Sequence, residues 1–387
     1  MEETMKKALS LILAVLMLLS VTLAFASCEK TDDAFKVGFI FLHDENSTYD
    51  KNFIDAAKAA CAALGLTEDQ MILKVNVPEG AECYDAACEL VEAGCDLVFA
   101  DSFGHEAFMI QAAKEFPDVQ FCHATGTKAH TEKLANYHNA FASIYEGRYI
   151  AGIVAGMKLN DMIAKGEITA DKAVIGYVAA FYFEEVISGF SAFYLGARSV
   201  CPSATMITLK ADSWSDPVKE GQIAQSLIDQ GAVLISQHSD NPSPATTAEA
   251  AGLFHCGYNS DMASAAPAAS IISARADWSI YLTYAVECVL NGEEIATDWC
   301  EGFNEGANFV SPLNTAVAAP GTQEKLDEVA EGLKNGSVHV FAGPWTGVHV
   351  WTGEAFECAE GEWVEESETQ SAPYFGYIID GITRLDA

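Results

Sequence analysis

Residues 36–42, KVGFIFL, form a short, almost uninterrupted apolar run that ends in a polar loop, HDENSTYDKNF at 43–53. An apolar run of this length without alternation is typical of a strand that is buried on both faces of a sheet. The pattern predicts a helix directly afterwards, over about residues 52–64. A buried strand followed by a helix is the first half of a βαβ unit, in which neighbouring strands run parallel.

The same unit repeats along the chain to about residue 275. Helical patterns separate the further strand candidates, and the longest of them is YEGRYIAGIVAGMKL at 145–159. Alternation of buried strands and helices predicts a parallel sheet that is covered on both faces. The remaining strand candidates are 71–77, 96–100, 119–124, 173–180, 204–211, 232–236, 253–259 and 269–274. The sequence therefore predicts an α/β protein with two doubly wound lobes, between which the chain crosses more than once.

The 387 residues suffice for two lobes of ordinary size. We predict an N-terminal lobe of residues 36–142 plus about 276–310, and a C-terminal lobe of residues 143–275 plus about 311–387. Beyond Trp299 the apolar runs shorten and Trp and Gly turns appear, which predicts a hairpin that completes one lobe.

The N-terminus has the layout of a secretory signal, with two lysines followed by an uncharged apolar run over residues 8–26. The segment FASC, which ends at Cys28, resembles a bacterial lipobox. We therefore predict a signal peptide over 1–27, a lipid attached at Cys28, a tether over 28–35, and a mature chain anchored on the extracytoplasmic face of the cell membrane. The alternative is an uncleaved membrane anchor, because an apolar run of this length can nearly span a bilayer.

Charge and cysteine usage exclude several classes of partner. Lys and Arg total 21 against 55 Asp and Glu, a formal charge of -34, so nucleic acid and anionic lipid surfaces would be repelled. The ten cysteines after Cys28 contain no CxxC pair and no zinc-finger spacing, and we expect most of them to be buried free thiols. No metal, no cofactor and no nucleic-acid partner is predicted, and the chain is expected to be a monomer.

Aromatic and Asx residues stand at the end of nearly every predicted strand, at the edge where open α/β sheets bind ligands. Aromatic faces stack on flat molecules, and carboxylates and amides pair with N–H or hydroxyl groups. A phosphate would favour Gly-rich turns or basic side chains, and Arg275 is the one such residue at these ends. Each single position has a structural alternative as a helix N-cap or a core aromatic. The candidates are Asp44, Tyr49, Asn52, Asp101, Phe103, Phe181, Trp214, His238, Asp240, Asp261 and Trp278.

Catalytic alternatives have less support in the sequence. No GxSxG, HExxH, GxGxxG or P-loop string occurs. His238 and Asp240 are nearly adjacent in the chain, whereas the members of a catalytic triad converge from separate segments. His255 lies inside an apolar strand and is predicted to be a core histidine. The sequence therefore predicts a binding protein rather than an enzyme.

At these strand ends the chain resembles the BMP/PnrA-like substrate-binding lipoproteins of ABC importers, over roughly residues 35–315. The segments that carry the resemblance are DSWSDP, LIDQGAVLISQHSDNPSP, GYNSDM and IISARADWSIYLTYAVECVLNGE. The resemblance implies a periplasmic-binding-protein type I fold with a ligand cleft between its lobes, and capture of a purine nucleobase or nucleoside for delivery to an ABC permease. By position, it implies site roles for Trp214, His238, Asp240, Tyr258, Asp261 and Trp278.

The resemblance also suggests what the candidates would do. Tyr49 and Trp214 would sandwich the base, with Phe181 as an alternative stacking ring. Hydrogen bonds would come from His238, Asp240 and Asp261, and Asp101 or Asn52 would reach polar groups of the ring or sugar. Asp44 and Tyr49 are the nearest match to the Asp–aromatic pair of the family's first loop. A receptor-type sensor and, with less support, a nucleoside hydrolase stay open as alternative functions.

Overall fold

Two β-sheets, each covered by helices on both faces, make up most of the described chain. The structure is a computed structural model that describes residues 34–367 and 370–385, so the predicted signal peptide and Cys28 lie outside the described residues. The first sheet contains β1 (Val37–Ile40), β2 (Met71–Lys74), β3 (Leu97–Ala100), β4 (Gln120–Ala124), β5 (Tyr137–Ala142) and β11 (Asp298–Glu301). Its order is β2-β1-β3-β4-β5-β11, and all its strands are parallel.

The second sheet has seven strands and the same doubly wound design. Its strands are β6 (Val174–Ala179), β7 (Thr205–Lys210), β8 (Leu234–His238), β9 (Phe254–Tyr258), β10 (Ser270–Ala276), β12 (Asn308–Val310) and β16 (Ile382–Arg384). Their order is β12-β10-β9-β8-β6-β7-β16, and only the edge strand β12 is antiparallel to its neighbour. In each sheet the winding reverses beside the first strand, between β1 and β3 and between β6 and β8.

Helices connect the strands and bury the sheets from both sides. They are α1 (Thr48–Ala63), α2 (Ala81–Glu92), α3 (Glu106–Glu115), α4 (Ala129–Glu132), α5 (Ile144–Ala164), α6 (Glu184–Val200), α7 (Pro217–Asp229), α8 (Ser243–Ala250), α9 (Trp278–Asn291) and α10 (Thr322–Lys334). The strands are apolar throughout because both faces are covered, and all four residues of β1 and of β3 are buried. The predicted doubly wound α/β architecture is confirmed.

The predicted strands agree with the structure to within a few residues at each end, but several elements were not predicted. Strand β5, YHNAFA, was missed because His138 and Asn139 interrupt its apolar pattern. Both side chains are nevertheless buried and bonded: Asn139 Oδ1 accepts from the backbone N–H groups of Lys128 and Ala129, and His138 Nε2 lies 3.0 Å from Gln120 Oε1. Strands β11 and β12 and helix α10 were also not predicted.

The chain passes between the two sheets three times, at 142–144, 276–278 and 301–308. At the second crossing Asn52 Nδ2 donates to Ala276 O at 2.8 Å, which ties α1 to the end of β10. We propose that these crossings form the hinge between two lobes, with β12 and the chain after it belonging to the second lobe. The N-terminal lobe would then end near residue 301 rather than near 310.

Helices α5 and α6 pack against each other and against the second sheet at close range. Glycines make this approach possible. A Cβ on Gly152 would lie 2.0 Å from Phe193 O, and a Cβ on Gly196 would lie 2.1 Å from Tyr149 O. No side chain fits at such distances, so the separation of the two helices depends on these glycines.

The C-terminal region forms a three-stranded antiparallel sheet where the sequence predicted a hairpin. The order is β14-β13-β15, with β13 at Trp345–His349, β14 at Ala355–Cys358 and β15 at Tyr377–Ile379. Between β14 and β15, Glu366 is buried and accepts a hydrogen bond from Ser188 Oγ on α6. The ten cysteines in the described part of the chain are free thiols, and eight of them are buried, as predicted.

Buried carboxyl groups should make the protein less stable as the pH rises from the acid range toward about 8. Burial raises the pKa of Glu366 to about 8, and those of Glu146, Glu185 and Glu220 to about 7, from an ordinary value of 4.5. Between the ordinary value and the folded pKa, each group is protonated in the folded protein and ionised in the unfolded chain, so stability declines over that range and levels off above the folded pKa. Buried histidines have lowered pKa values, which reduces stability only below about pH 6.5.

We therefore expect the free energy of unfolding to fall by about 2 kcal/mol or more between pH 6.5 and 8. Chemical denaturation across this range measures the slope. Glu366→Gln keeps an acceptor for Ser188 but cannot ionise, so it should reduce the slope, whereas Glu354→Gln on the surface should leave it unchanged. An equal slope in the wild type and in Glu366→Gln would contradict the assignment.

Candidate functional site

A cavity lies where the carboxyl ends of the two sheets face each other. It is formed by residues at or just after the carboxyl ends of β1, β3 and β4 of the first sheet and of β6, β7, β8 and β9 of the second. Both winding reversals lie at this edge, which is where open α/β sheets bind ligands. The lining residues are Leu42, Tyr49, Ser102, Phe103, Thr125, Glu185, Trp214, His238, Asp240 and Tyr258.

Tyr49 reaches the cavity from the first turn of α1. The helix begins there because Ser47 is its N-cap and accepts a hydrogen bond from the backbone N–H of Asp50. The Tyr49 hydroxyl donates to the backbone carbonyl of Asp101 at 2.7 Å. This bond fixes the direction of the ring, so its face is available to a ligand.

Trp214 reaches the same cavity from the second sheet, in the loop between β7 and α7. Asp216 caps α7 by accepting from the backbone N–H of Lys219 at 2.9 Å, and Pro217 occupies the first turn. The Phe181 ring packs edge-on against the Trp214 indole, with centroids 4.9 Å apart. A capped helix and a supporting ring therefore hold the indole at the cavity wall.

Asp240 links the two sides of the cleft. Its backbone carbonyl accepts from the N–H of Thr48 at 3.0 Å, which joins the loop after β8 to the start of α1. Its side-chain Oδ1 accepts from Asn259 Nδ2 at 2.9 Å, and its N–H donates to Trp214 O at 2.9 Å. The carboxyl group is thus held in place and lines the cavity.

Glu185, His238 and Tyr258 form a second polar group in the wall. His238 Nε2 lies 3.2 Å from Glu185 Oε1, and the His238 and Tyr258 rings are 4.7 Å apart. Behind them, Arg148 places its Cζ 3.4 Å from the centroid of the Tyr258 ring. Glu185 and Arg148 were not predicted from the sequence. Acidic residues are common in the first turn of a helix, and Arg148 lies in the helix after β5, a strand that was itself not predicted.

Burial favours the neutral forms of several cavity groups. Burial raises the pKa values of Asp240 and Tyr49 well above their ordinary values. Burial lowers the pKa of His238, and the positive charge of Arg148 lowers it further. The pKa of Glu185 is raised to about 7. No Lys or Arg is among the residues that line this cavity. Such a wall suits a neutral ligand with N–H and carbonyl groups better than a phosphate.

Six of the twelve residues predicted from sequence line this cavity, namely Tyr49, Phe103, Trp214, His238, Asp240 and Tyr258. The lining residues that were not predicted are Leu42, Ser102, Thr125 and Glu185. Ser102 directly follows the predicted Asp101 at the end of β3, so its position was the available signal. Leu42 and Thr125 carry no sequence signal that separates them from other strand-end residues.

The other six predicted residues lie outside the cavity. Asp101 is fully buried behind Tyr49 and accepts a hydrogen bond from the backbone N–H of Leu42. Its pKa is raised, mainly by burial and to a smaller extent by the nearby Asp50 carboxylate. Phe181 packs against Trp214 and stacks on Phe183, with ring centroids 4.9 Å apart in both pairs. Asn52 bonds to the backbone at the second crossing.

Local structure explains the last three of these residues. Asp44 accepts from the backbone and side-chain N–H groups of Asn46 in an exposed turn. Asp261 caps a short 3-10 turn by accepting from the N–H of Ala263. Trp278 is buried and stacks on Phe53, with centroids 4.4 Å apart.

The histidine and acidic side chains of the described residues do not assemble into a group that could hold a metal ion. His255 is fully buried, as predicted for a core histidine, and bonds to Gln237 Oε1 at 3.1 Å. Within the same residues, no helix is both long enough and apolar enough to span a membrane.

Two doubly wound sheets, three crossings and a cleft at the carboxyl ends are the architecture of the periplasmic-binding-protein type I fold. A solute-binding protein from Aeropyrum pernix K1 has a TM-score of 0.65 at 15% identity, covering 80% of this chain and 94% of that chain. A solute-binding protein from Conexibacter woesei has a TM-score of 0.60 at 19% identity, covering 79% and 98%. Likeness at these identities concerns the fold alone.

The chain belongs to the family described as ABC transporter substrate-binding protein PnrA-like, whose pattern matches residues 40–331. This confirms the resemblance found in the sequence. A purine-binding protein of Brucella abortus is 32% identical over 317 residues, covering 81% of this chain and 85% of the relative. A putative ABC transporter glucose-binding protein of Haloferax volcanii is 31% identical over 272 residues, covering 70% and 62%.

Proposed function

We propose that this ABC transporter substrate-binding protein captures a purine nucleobase or nucleoside in the cleft between its lobes and delivers it to the permease of the importer. The observation that carries the proposal is the cavity wall, in which aromatic rings and carboxyl groups converge at the carboxyl ends of both sheets. Such a lining, mostly aromatic with a few polar groups, is typical of sites for small, flat molecules.

Specific residues have roles in this proposal. Tyr49 and Trp214 approach from opposite sides of the cleft and would stack on the two faces of the base. Asp240 and Glu185 would hydrogen-bond to its edge, and His238 lies next to Glu185, with its Nε2 3.2 Å from Glu185 Oε1. Tyr258 supports the His238 ring from below.

A second cavity beside the first favours keeping nucleosides within the proposal. It shares Phe103, Thr125 and Glu185 with the first cavity. A substituent on the base could therefore extend into it without displacing the stacked ring. Its lining residues contain no Lys or Arg, which argues against a phosphorylated ligand.

Glucose is the alternative ligand, because one curated relative is named as a putative glucose-binding protein. A sugar also stacks on aromatic faces and bonds to carboxylates. The purine is favoured by the similarity to the purine-binding relative, which extends over a larger share of both chains.

A ligand screen by thermal unfolding and calorimetry tests the proposal. A ligand that binds only the folded protein at about 100 times its Kd adds about 2.7 kcal/mol of stability. We expect such stabilisation with at least one of adenine, guanine, hypoxanthine, xanthine or their nucleosides, and none with the corresponding nucleotides. Stabilisation by glucose alone would replace the purine by a sugar, and no stabilisation by any of these would remove the proposed ligand.

We further propose that Cys28 is lipidated and that the mature protein acts as a monomer on the extracytoplasmic side of the membrane. Ligand binding would close the two lobes by rotation about the three crossings. The signal-like sequence before Cys28 supports the lipid anchor. Metabolic labelling with a radioactive fatty acid should mark the wild type, whereas Cys28→Ser should remain unlabelled.

A further inference from the structure

Arg148 is the feature of the cleft that ligand stacking and hydrogen bonding leave unexplained. It is fully buried, and its Nη1 donates to Gln237 O at 2.7 Å. Its guanidinium lies against the face of Tyr258, the cavity residue that also contacts His238. A buried arginine is rare unless its charge is compensated, yet within the described residues Arg148 forms no ion pair.

Nitrogens of Arg148 and His238 border the same small space beside Gly189. Nε and Nη2 of Arg148 and Nδ1 of His238 are buried and have no hydrogen-bond partner among the described protein atoms. The position of a Cβ on Gly189 would be 2.9 Å from His238 Nδ1 and 3.7 Å from Arg148 Nε. Because Gly189 has no side chain, no group lies between these nitrogens at that point.

A guanidinium has only donors and keeps its charge at every ordinary pH. An imidazole nitrogen that faces it is therefore favoured as an acceptor, because an N–H there would set two donors against each other. The proton of the neutral imidazole must then be on the other ring nitrogen. For His238 that nitrogen is Nε2, which lies 3.2 Å from Glu185 Oε1.

We propose that Arg148 is a positioning residue that holds His238 as the neutral tautomer with its proton on Nε2. In this tautomer His238 donates a hydrogen bond to Glu185. The Glu185 carboxylate then remains a hydrogen-bond acceptor toward the ligand. The three groups form a row of cation, neutral ring and carboxylate. The charge of Arg148 is thereby compensated through His238 rather than by direct contact.

The electrostatics of the three groups agree with this arrangement. Burial and the Arg148 charge both hold the pKa of His238 well below its usual value, so the ring stays neutral. Burial raises the pKa of Glu185 to about 7, so its protonated and carboxylate forms are both populated near neutral pH, and the Arg148 charge acts in the opposite direction and favours the carboxylate. A ligand N–H that meets Glu185 would therefore find an acceptor, and a ligand carbonyl at the same place would be disfavoured.

The test is nitrogen-15 NMR of the full chain labelled at histidine, with the His238 signals assigned from His238→Gln. Without ligand, at about pH 7, we expect Nε2 to carry the proton and Nδ1 to be unprotonated. Arg148→Met should spread the proton over both nitrogens and weaken binding of the purine found in the screen about tenfold, the loss expected for one misdirected hydrogen bond. Arg148→Lys retains a cationic donor and should restore part of the Nε2–H population.

Arg198→Met is the matched control. Arg198 lies in the last turn of α6, at the opposite end of the helix from Glu185, and donates to Pro344 O. It should change neither the His238 spectrum nor the affinity. A wild-type spectrum with the proton on Nδ1 overturns the inference even if Arg148→Met does not fold. A folded Arg148→Met protein with the wild-type tautomer and the wild-type Kd overturns it equally. The affinity arm rests on the proposed function, whereas the tautomer is measured without ligand, so the two can fail separately.

Discussion

Trp214→Ala is expected to raise the Kd for the purine by roughly 30- to 1,000-fold, equivalent to about 2–4 kcal/mol. The change removes an aromatic ring from the cavity wall, and with it both the stacking energy and the apolar area that the ligand would cover. Because Trp214 is only partly buried in the structure, the protein itself should lose little stability. Calorimetric titration with the purine identified in the screen gives the Kd directly.

Trp351→Ala provides the matched control for this change. Trp351 is 60% exposed, next to β13 of the three-stranded sheet, and lines neither cavity of the cleft. Its removal should leave the Kd unchanged within error. If Trp214→Ala binds the purine as tightly as the wild type does, the stacking role proposed for this wall is wrong.

Sequence reasoning found the strands because burial on both faces makes them almost purely apolar, as in β1 and β3. It missed β5 because a polar residue inside a buried strand looks like a break unless its partners are known. Asn139 is satisfied by the backbone of residues 128 and 129, which the tertiary fold brings to it. Local pattern carries no information about such partners.

The site was predictable to the extent that the strand ends determine it. Trp214 and His238 stand at such ends, and the doubly wound topology brings them to one edge. Asp101 stands at an equivalent position, but its carboxylate serves the backbone of Leu42 and lies behind Tyr49. Position at a strand end therefore identifies the right edge of the sheet without distinguishing a residue that meets the ligand from one that supports the loop.

Arg148 could not be predicted from its position. It comes from α5, after the first crossing, and contacts Gln237, which is 89 residues further along the chain. Its surroundings in the sequence, EGRYIAGIVAG, carry the small residues that allow α5 and α6 to approach. The close packing of these helices is thus a condition for the placement of Arg148 behind the cavity.

Gly196→Ala should therefore be among the most damaging single-methyl changes in this chain. The added Cβ would lie 2.1 Å from Tyr149 O, a backbone atom that can move only if α5 moves. We expect a loss of about 3 kcal/mol or more in the free energy of unfolding, at or beyond the upper end of the usual cost of overpacking. Equilibrium denaturation in urea measures the loss, and a Gly196→Ala protein as stable as the wild type would contradict the close approach of the helices.

Gly221→Ala, in α7, makes the same chemical change where there is room. The added Cβ would meet Thr247 Oγ1 at 3.5 Å, an ordinary contact, and alanine is favoured over glycine inside a helix by roughly 0.5–1 kcal/mol. We expect Gly221→Ala to be neutral or stabilising and to bind the purine like the wild type. Gly196→Ala, if enough of it remains folded, should also bind more weakly, because separating α5 from α6 displaces Arg148 from His238 and Glu185. If Gly196→Ala lowers the free energy of unfolding and Gly221→Ala does not, the loss is caused by the spacing of α5 and α6, which supports the cleft, and not by the added methyl group itself.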